Sequence, residues 1–338
     1  MCSFVPTFEK MKTITGHIIL LAALLLTLQP SPARRGESSR HIKLLYWNIQ
    51  NGMWDGQDDN YDKFTTWVAS RQPDICVWAE AQTIFNSGTN VKCEPGDRYL
   101  TDGWKELARR YGHTYIYVGG HRDNYPQVIT SRFPIRNVRR FTDETPDSTV
   151  SHGAGWAKIK FGKDELNIVT VHTWPQKFSF EYNRSDSASK CLSASKNEGD
   201  LYRVKEVKYI CNNTVKTDKT RDGLWLMLGD FNSISSLDNG TYRFPSDSSC
   251  FLLHDYILRE TPYVDAVRES HPDEFQWTTY RHWRYDYLYM TEALYSKIES
   301  IETIYDSYTV PLEVHGLTGF CRPSDHLPIE VVFNTEKL

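Results

Sequence analysis

Leu226-Met227-Leu228-Gly229-Asp230-Phe231-Asn232-Ser233 is an apolar run that stops at a glycine and then sets two polar residues on either side of a bulky aromatic. Three consecutive large apolar side chains predict a buried strand. In an extended chain residues i and i+2 share a side, so Asp230 and Asn232 are expected to face together while Phe231 packs the other way. An Asx-rich turn would account for the polarity but not for the Phe.

The same pattern recurs outward from this stretch. Strands are expected at Ile42 to Ile49, Ile75 to Ala79, Thr114 to Val118, Gln127 to Ser131, Gly155 to Phe161, Glu165 to His172, Leu224 to Leu228, Tyr285 to Met290 and Ile329 to Phe333. Helices are expected at Tyr61 to Arg71, Asp102 to Tyr111, Gly199 to Asn212 and Cys250 to Glu260. There is no internal repeat, and the polar stretch from Gln176 to Gly199 reads as a surface insertion rather than a domain boundary. The layout is a mixed α/β domain in which polar residues stand just beyond strand ends, where function concentrates.

Several of those strand ends carry groups with chemical potential. Asn48 closes Tyr46-Trp47-Asn48 before a glycine turn, and its amide oxygen is a hard donor suited to magnesium or calcium, although Asn there is also a common turn-former. Glu80 ends Ile75-Cys76-Val77-Trp78-Ala79, either as a metal ligand or as a solvated surface acid. His172 ends Ile168-Val169-Thr170-Val171 and is placed to donate a hydrogen bond to a phosphate or leaving oxygen, with a satisfied structural histidine as the alternative. Asp230 and Asn232 together suit orienting a water and hydrogen-bonding a phosphorane-like transition state. Asp286 lies in the aromatic strand Tyr285-Asp286-Tyr287, where an ionised carboxylate needs a partner, and a histidine is the natural candidate. Asp325 and His326 sit on the proline-bounded loop Pro323-Ser324-Asp325-His326-Leu327-Pro328, an acid that can bind metal or orient water beside an imidazole that can take a proton.

Bulk properties narrow the setting. The chain has 338 residues, 40% of them hydrophobic, with a formal charge of -4, so it is a globular protein without a basic nucleic-acid grip. The apolar run Ile18 to Leu28, preceded by Lys12 and His17 and followed by Ser31-Pro32-Ala33, has the three regions of a secretory signal peptide. Residues 1–33 are therefore expected to be a cleaved leader, 34–40 a short polar lead-in and 41–338 one folded domain, secreted or periplasmic. The run is shorter than the roughly 20 residues of a membrane span, so no stable span is expected. Six cysteines follow the leader without a zinc-type spacing; Cys76 reads as a buried thiol, and Cys191 with Cys211 as the favoured disulfide because they flank the insertion. Asn183, Asn212 and Asn239 each open a glycosylation triplet.

Taken in order, these motifs resemble the endonuclease/exonuclease/phosphatase superfamily, which includes deoxyribonuclease I, apurinic endonucleases and bacterial sphingomyelinases. The resemblance runs from Trp47 to Pro328, with Gly229-Asp230-Phe231-Asn232 and Ser324-Asp325-His326-Leu327-Pro328 as its most specific strings and Thr130-Ser131-Arg132-Phe133-Pro134-Ile135 as a further match ahead of both. Trp283-Arg284-Tyr285-Asp286 keeps the aromatic and the acid of the phosphoinositide-phosphatase signature but lacks its Cys, which lowers that subclass. The resemblance implies an α/β (α+β) four-layer sandwich of two mostly antiparallel sheets flanked by helices. It implies that Asn48 and Glu80 bind a divalent cation, with Asp325 near it or near a second one, and that the cation is magnesium by default, with manganese or calcium as substitutes. It further implies that Asp230 orients or activates water, Asn232 stabilises the pentacovalent phosphorus, His172 contacts the phosphate or leaving group, and Asp286 pairs with His326 as general base. The expected activity is hydrolysis of a phosphodiester or phosphomonoester by a monomer, on nucleic acid or a phospholipid head group. A catalytically silent binding module of the same fold is the competing expectation. Trp277, Tyr280, Trp283, Tyr285 and Tyr287 could stack on bases or dip into lipid, or simply fill the core.

Overall fold

The computed structural model describes residues 40–86, 91–100, 102–120, 125–175, 198–219, 222–316 and 319–336. The expected leader, residues 34–39, nearly all of the Gln176 to Gly199 insertion and Cys191 lie outside them. Two sheets carry the architecture. The first orders β11 (Ile298–Thr303), β14 (Ile329–Asn334), β1 (His41–Asn48), β2 (Ile75–Ala79), β4 (Gln127–Ser131) and β3 (Tyr115–Gly119). The second orders β5 (Ile135–Phe141), β6 (Ala154–Phe161), β7 (Asp164–His172), β8 (Leu224–Asp230), β10 (Asp286–Thr291) and β9 (Tyr263–Asp265). A ribbon of β12 (Leu312–Glu313) and β13 (Cys321–Arg322) stands apart.

Each sheet is antiparallel except for one pair at its centre, β1 with β2 in the first and β7 with β8 in the second. The period-2 alternation of side chains explains why these strands read as unbroken apolar runs. In β1, Leu44 and Tyr46 enter the interior between the sheets while Leu45 and Trp47 enter a second interior on the outer face. In β8, Leu226 and Leu228 face inward while Trp225 and Met227 face out. The outer interiors are closed by helices α1 (Asp62–Arg71) and α2 (Trp104–Arg110) on one side, and by α3 (Glu198–Asn212) and α4 (Leu252–Glu260) on the other. Four layers result, as the sequence implied. Each fully buried Leu, Ile or Val in these interiors contributes about 1.5–3 kcal/mol, and truncating one such as Leu226 to Ala costs about 2–5 kcal/mol.

Five strands were not foreseen, and the two long ones share a cause. β5 (Ile-Arg-Asn-Val-Arg-Arg-Phe) and β11 (Ile-Glu-Ser-Ile-Glu-Thr) are edge strands, exposed or half-buried along most of their length and laced with charge. Charged edges protect a sheet from pairing with other chains, and the same charge conceals the strand in sequence. Cys76 is a buried free thiol as expected, and Cys211 is a free thiol beside the Met227 sulfur, while its expected partner Cys191 lies outside the described residues. Among the described residues no helix is long and apolar enough to cross a membrane.

Candidate active site

Parallel neighbours end at the same edge of a sheet, and both central pairs do so in register. Asn48 pairs with Ala79, the residue before Glu80, and His172 pairs with Asp230. Antiparallel neighbours begin where those strands end. Asp286, the first residue of β10, pairs with Asp230, and β14 begins opposite Tyr46 directly after the loop carrying Asp325 and His326. Topology alone therefore collects residues more than 270 positions apart at one rim of the sandwich. The glycine of the central motif is required here: a Cβ on Gly229 would lie 1.8 Å from the Val171 carbonyl oxygen, so any other residue would push β7 and β8 apart just before His172 and Asp230. Gly52, at φ +69, serves the other pair by turning the chain after Asn48 so that its N–H reaches the Glu80 carbonyl at 2.6 Å.

Asn48 is fully buried and does two jobs. Its Oδ1 accepts from Gln50 N at 3.0 Å, the turn-forming role, and its Nδ2 donates to Glu80 Oε1 at 3.3 Å and Asp230 Oδ2 at 3.1 Å. The amide oxygen expected to face a cation is thus turned to the backbone, and the amide nitrogen lies between two carboxylates. Glu80, at φ +51, has its Oε2 held by Asn51 N at 2.9 Å, so it is an anchored group rather than a free surface acid. His172 Nε2 stands 3.9 Å from Glu80 Oε1 and 3.7 Å from Asp230 Oδ2, too far for hydrogen bonds.

The second half of the site is bonded tightly. His326 Nδ1 meets Asp286 Oδ2 at 2.6 Å, and the other Asp286 oxygen accepts from the Tyr46 hydroxyl at 2.6 Å. His326 is fixed through its backbone as well: its N–H donates to Ser324 Oγ at 3.1 Å, its carbonyl accepts from Trp47 Nε1 at 2.8 Å, and Ser324 Oγ donates to the Asn48 carbonyl at 2.7 Å. His326 Nε2 then points toward Asp230 Oδ2 at 3.8 Å. Asp325 is half-buried and lines a pocket with His326, Thr279, Tyr280, Arg281 and Trp283, but it lies outside the two tight clusters.

Those clusters are Glu80, His172 and Asp230, and Asp230, Asp286 and His326, each with ligand atoms within 4.8 Å of one another. Their electrostatics are lopsided. Burial pushes Asp230 up to about 8, against the pull of the His326 charge and with the help of Asp286 and Glu80. Burial likewise raises Asp325 to about 7. Burial works against the charged form of His326, but Asp286, Asp325 and Asp230 outweigh it and hold the imidazole well above its ordinary value. His172 is pulled down to about 3, by burial first and by His326 second, so it is neutral near pH 7. The residues fit a hard divalent cation: anchored carboxylate oxygens converge with more negative charge than one imidazolium can balance, and the gaps around His172 Nε2 are wider than hydrogen bonds.

Asn232 arrives by a different route from the one expected. The strand ends at Asp230, and Asn232 adopts φ +44, with its N–H donating to Asp230 Oδ1 at 2.8 Å. Its Nδ2 donates to the Thr173 carbonyl at 3.2 Å, so the Asx turn and the site residue are one structure. Phe231 packs outward against Tyr287 and Tyr289, as expected. Of the aromatic set, Trp283, Tyr285 and Tyr287 are core residues, whereas Trp277 and Tyr280 remain half-exposed. Sequence reasoning missed Tyr46, His152 and Tyr125. His152 packs against His172 with ring centroids 4.5 Å apart and the rings tilted, and Tyr125 packs against both rings. Neither stands at the end of a recognisable apolar run, and Tyr46 reads as ordinary core.

No protein-family model matches the chain, and no curated protein matches it by sequence. Solved structures do match in fold. An AP endonuclease from Archaeoglobus fulgidus is 19% identical over 87% of this chain and 99% of its own, with a TM-score of 0.56. The 3' phosphatase NExo from Neisseria, bound to a product DNA hairpin, is 15% identical over 86% and 99%, with a TM-score of 0.52. An endonuclease/exonuclease/phosphatase family protein from Leptotrichia buccalis is 16% identical over 86% and 98%, with a TM-score of 0.53. The chain has the endonuclease/exonuclease/phosphatase fold that its motifs resemble.

Proposed function

We propose that the chain is an exported, divalent-metal-dependent phosphoesterase that hydrolyses a phosphodiester or phosphomonoester by in-line attack of water. The observation that carries this reading is the meeting of Asn48, Glu80, His172, Asp230, Asn232, Asp286 and His326 at one rim of the sandwich, with a surplus of carboxylates that a divalent cation would balance. Solved structures of like fold include an AP endonuclease and a 3' phosphatase, which supports the choice of phosphoester chemistry.

Glu80 would hold the cation and Asp230 lies close enough to Glu80 and His172 to share it; Asn48 would join once its amide turns its oxygen from Gln50 N toward Glu80, and Asp325, outside these clusters, would serve a second cation. When bound, the cation supplies positive charge to the phosphoryl oxygens and offsets the carboxylates around it. With those carboxylates offset, the field that favours the His326 imidazolium weakens, and Nε2 is free to take a proton. Asp286 fixes the tautomer by accepting from Nδ1, and Tyr46 holds Asp286 in place. Asp230 Oδ2 faces the same space and orients the water. Asn232 donates to the developing charge on phosphorus-bound oxygen through its remaining N–H. His172, neutral near pH 7, serves as a hydrogen-bonding group beside the phosphate.

The test is incubation of the purified chain with DNA, RNA, sphingomyelin and a chromogenic bis-phosphodiester, with and without magnesium. Magnesium-dependent release from at least one is expected, and its identity separates nucleic acid from phospholipid head groups. Release from none would leave a binding module as the better account.

A further inference from the structure

Helix α3 buries a polar network that touches neither the cluster of carboxylates nor His326. Glu206 has no solvent exposure, yet its carboxylate accepts three hydrogen bonds: from Ser151 N at 2.8 Å and Ser151 Oγ at 2.6 Å on one oxygen, and from Trp174 N at 2.8 Å on the other. One turn earlier Arg203, equally buried, donates to the carbonyls of Trp174 at 3.1 Å and Pro175 at 3.3 Å and is held by Asp200 at 2.6 Å, which in turn accepts from Ser249 Oγ at 2.7 Å. Trp174 is therefore gripped at its N–H by one residue and at its carbonyl by another. Burying charged groups costs several kcal/mol each, by order of magnitude, unless the surroundings compensate. Burial pushes the Glu206 carboxyl up to about 7 despite its three donors.

What the grip holds is informative. Ser151 precedes His152, whose ring packs against His172, and Trp174 follows Thr173. Thr173 is locked to the end of β8 by N–H to Asp230 carbonyl at 3.1 Å and Oγ1 to Phe231 carbonyl at 2.6 Å, and its own carbonyl receives Asn232 Nδ2. A carbonyl can only accept, so this contact decides which end of the Asn232 amide faces Thr173 and leaves the second N–H to point elsewhere. We infer that Glu206 and Arg203 are positioning residues that fix the Ser151–His152 and His172–Trp174 segments and, through the Thr173 carbonyl, set the orientation of the Asn232 amide. The inference rests on the phosphoesterase reading for what that amide does, but the anchoring itself is independent of it.

Glu206→Gln preserves shape and replaces one accepting oxygen with a donor, so either Ser151 or Trp174 loses its partner. The expected result is a fall in kcat of about 10- to 100-fold, the range typical of residues that orient a site from behind, with KM within about twofold if binding is untouched. The discriminating measurement is the cycle with Asn232→Ala: if Glu206 acts through Asn232, Glu206→Gln should cost less than about threefold in that background. Losses that multiply in full, or a Glu206→Gln enzyme with wild-type kcat, would overturn the inference. Should Glu206→Gln not fold, Arg203→Lys, which loses the guanidinium whose Nη1 donates to both carbonyls while Nη2 holds Asp200, enters the same cycle with the same criteria. A wild-type chain inactive on every phosphoester would sink the phosphoesterase reading instead. The anchoring is then judged by NMR: Glu206→Gln should shift the Asn232 side-chain amide signal and speed exchange of the Trp174 amide, and unchanged signals would refute it.

Discussion

Two buried charged clusters lie two residues apart in the chain and have opposite character. Arg284 is fully buried and donates to Asp265 Oδ1 at 3.1 Å and Asp238 Oδ2 at 2.8 Å, while Arg268 approaches Asp238 at 4.0 Å from the other side. Two cations thus face two carboxylates, and the guanidinium packs over the Tyr287 ring at 4.2 Å. Asp286 belongs to the other cluster, where its carboxylate and that of Asp230 face one imidazole inclined to carry charge, with Glu80 on the other side of Asp230 and Asp325 acting from outside the tight groups. The Arg284 cluster is complete by itself and acts as a brace between β9, β10 and the loop after β8. The Asp286 cluster is left with surplus negative charge. A balanced buried cluster needs nothing further, whereas an unbalanced one is suited to receive a positive group.

The comparison can be broken in four ways. The largest effect is expected at His326: replacement by Ala should lower turnover by about 10⁴-fold, equivalent to about 5.5 kcal/mol of barrier, and, because it leaves buried Asp286 without its charged partner, also lower the melting temperature, so turnover is read on protein shown to be folded. Retained activity in a steady-state assay would remove His326 from the reaction. Next, Asp265→Ala should destabilise the fold by about 3–5 kcal/mol in denaturant titrations, because it leaves the Arg284 charge buried without its main partner. Glu80→Gln, removing one charge from the unbalanced cluster, should leave the metal-free protein as stable as wild type or more so. If both variants destabilise alike, the two clusters do not differ as described.

Third, magnesium at about 100 times its dissociation constant should stabilise the wild type by about 2.7 kcal/mol, read as a rise in melting temperature that Glu80→Gln abolishes. The fourth expected effect is on pH dependence. The Asp230 pKa rises from 3.8 to about 8 in the folded protein, so the folded state holds a proton that the unfolded state has released. That contribution is fully present below pH 3.8 and is lost as pH rises toward about 8. Metal-free wild type should therefore lose stability relative to Asp230→Asn across this window. Parallel stability curves for the two proteins would show that Asp230 is not perturbed.

Much of this was legible because the topology places function at strand ends. Asn48, Glu80, His172 and Asp230 each terminate an apolar run, and buried parallel strands are the elements that sequence marks most clearly. The need of Asp286 for a partner, with a histidine as the natural candidate, followed from the apolar strand around it, whereas the choice of His326 came from the family resemblance. What stayed hidden has physical reasons. β5 and β11 carry the charge of edge strands and so do not read as apolar runs. Glu206 sits in Arg203-Val204-Lys205-Glu206-Val207-Lys208, which reads as an ordinary solvated helix face, and its partner Ser151 is 55 residues away. Extended geometry was expected to face Asn232 with Asp230, whereas a left-handed turn sets its backbone N–H on the Asp230 carboxylate and its side chain on the Thr173 carbonyl.

Magnesium-dependent hydrolysis of a chromogenic bis-phosphodiester, compared between wild type and Glu80→Gln, tests the central claim most directly. The account predicts release that saturates with magnesium in the wild type and is lost when the Glu80 charge is removed. Release that ignores magnesium, or that survives in Glu80→Gln undiminished, would contradict it.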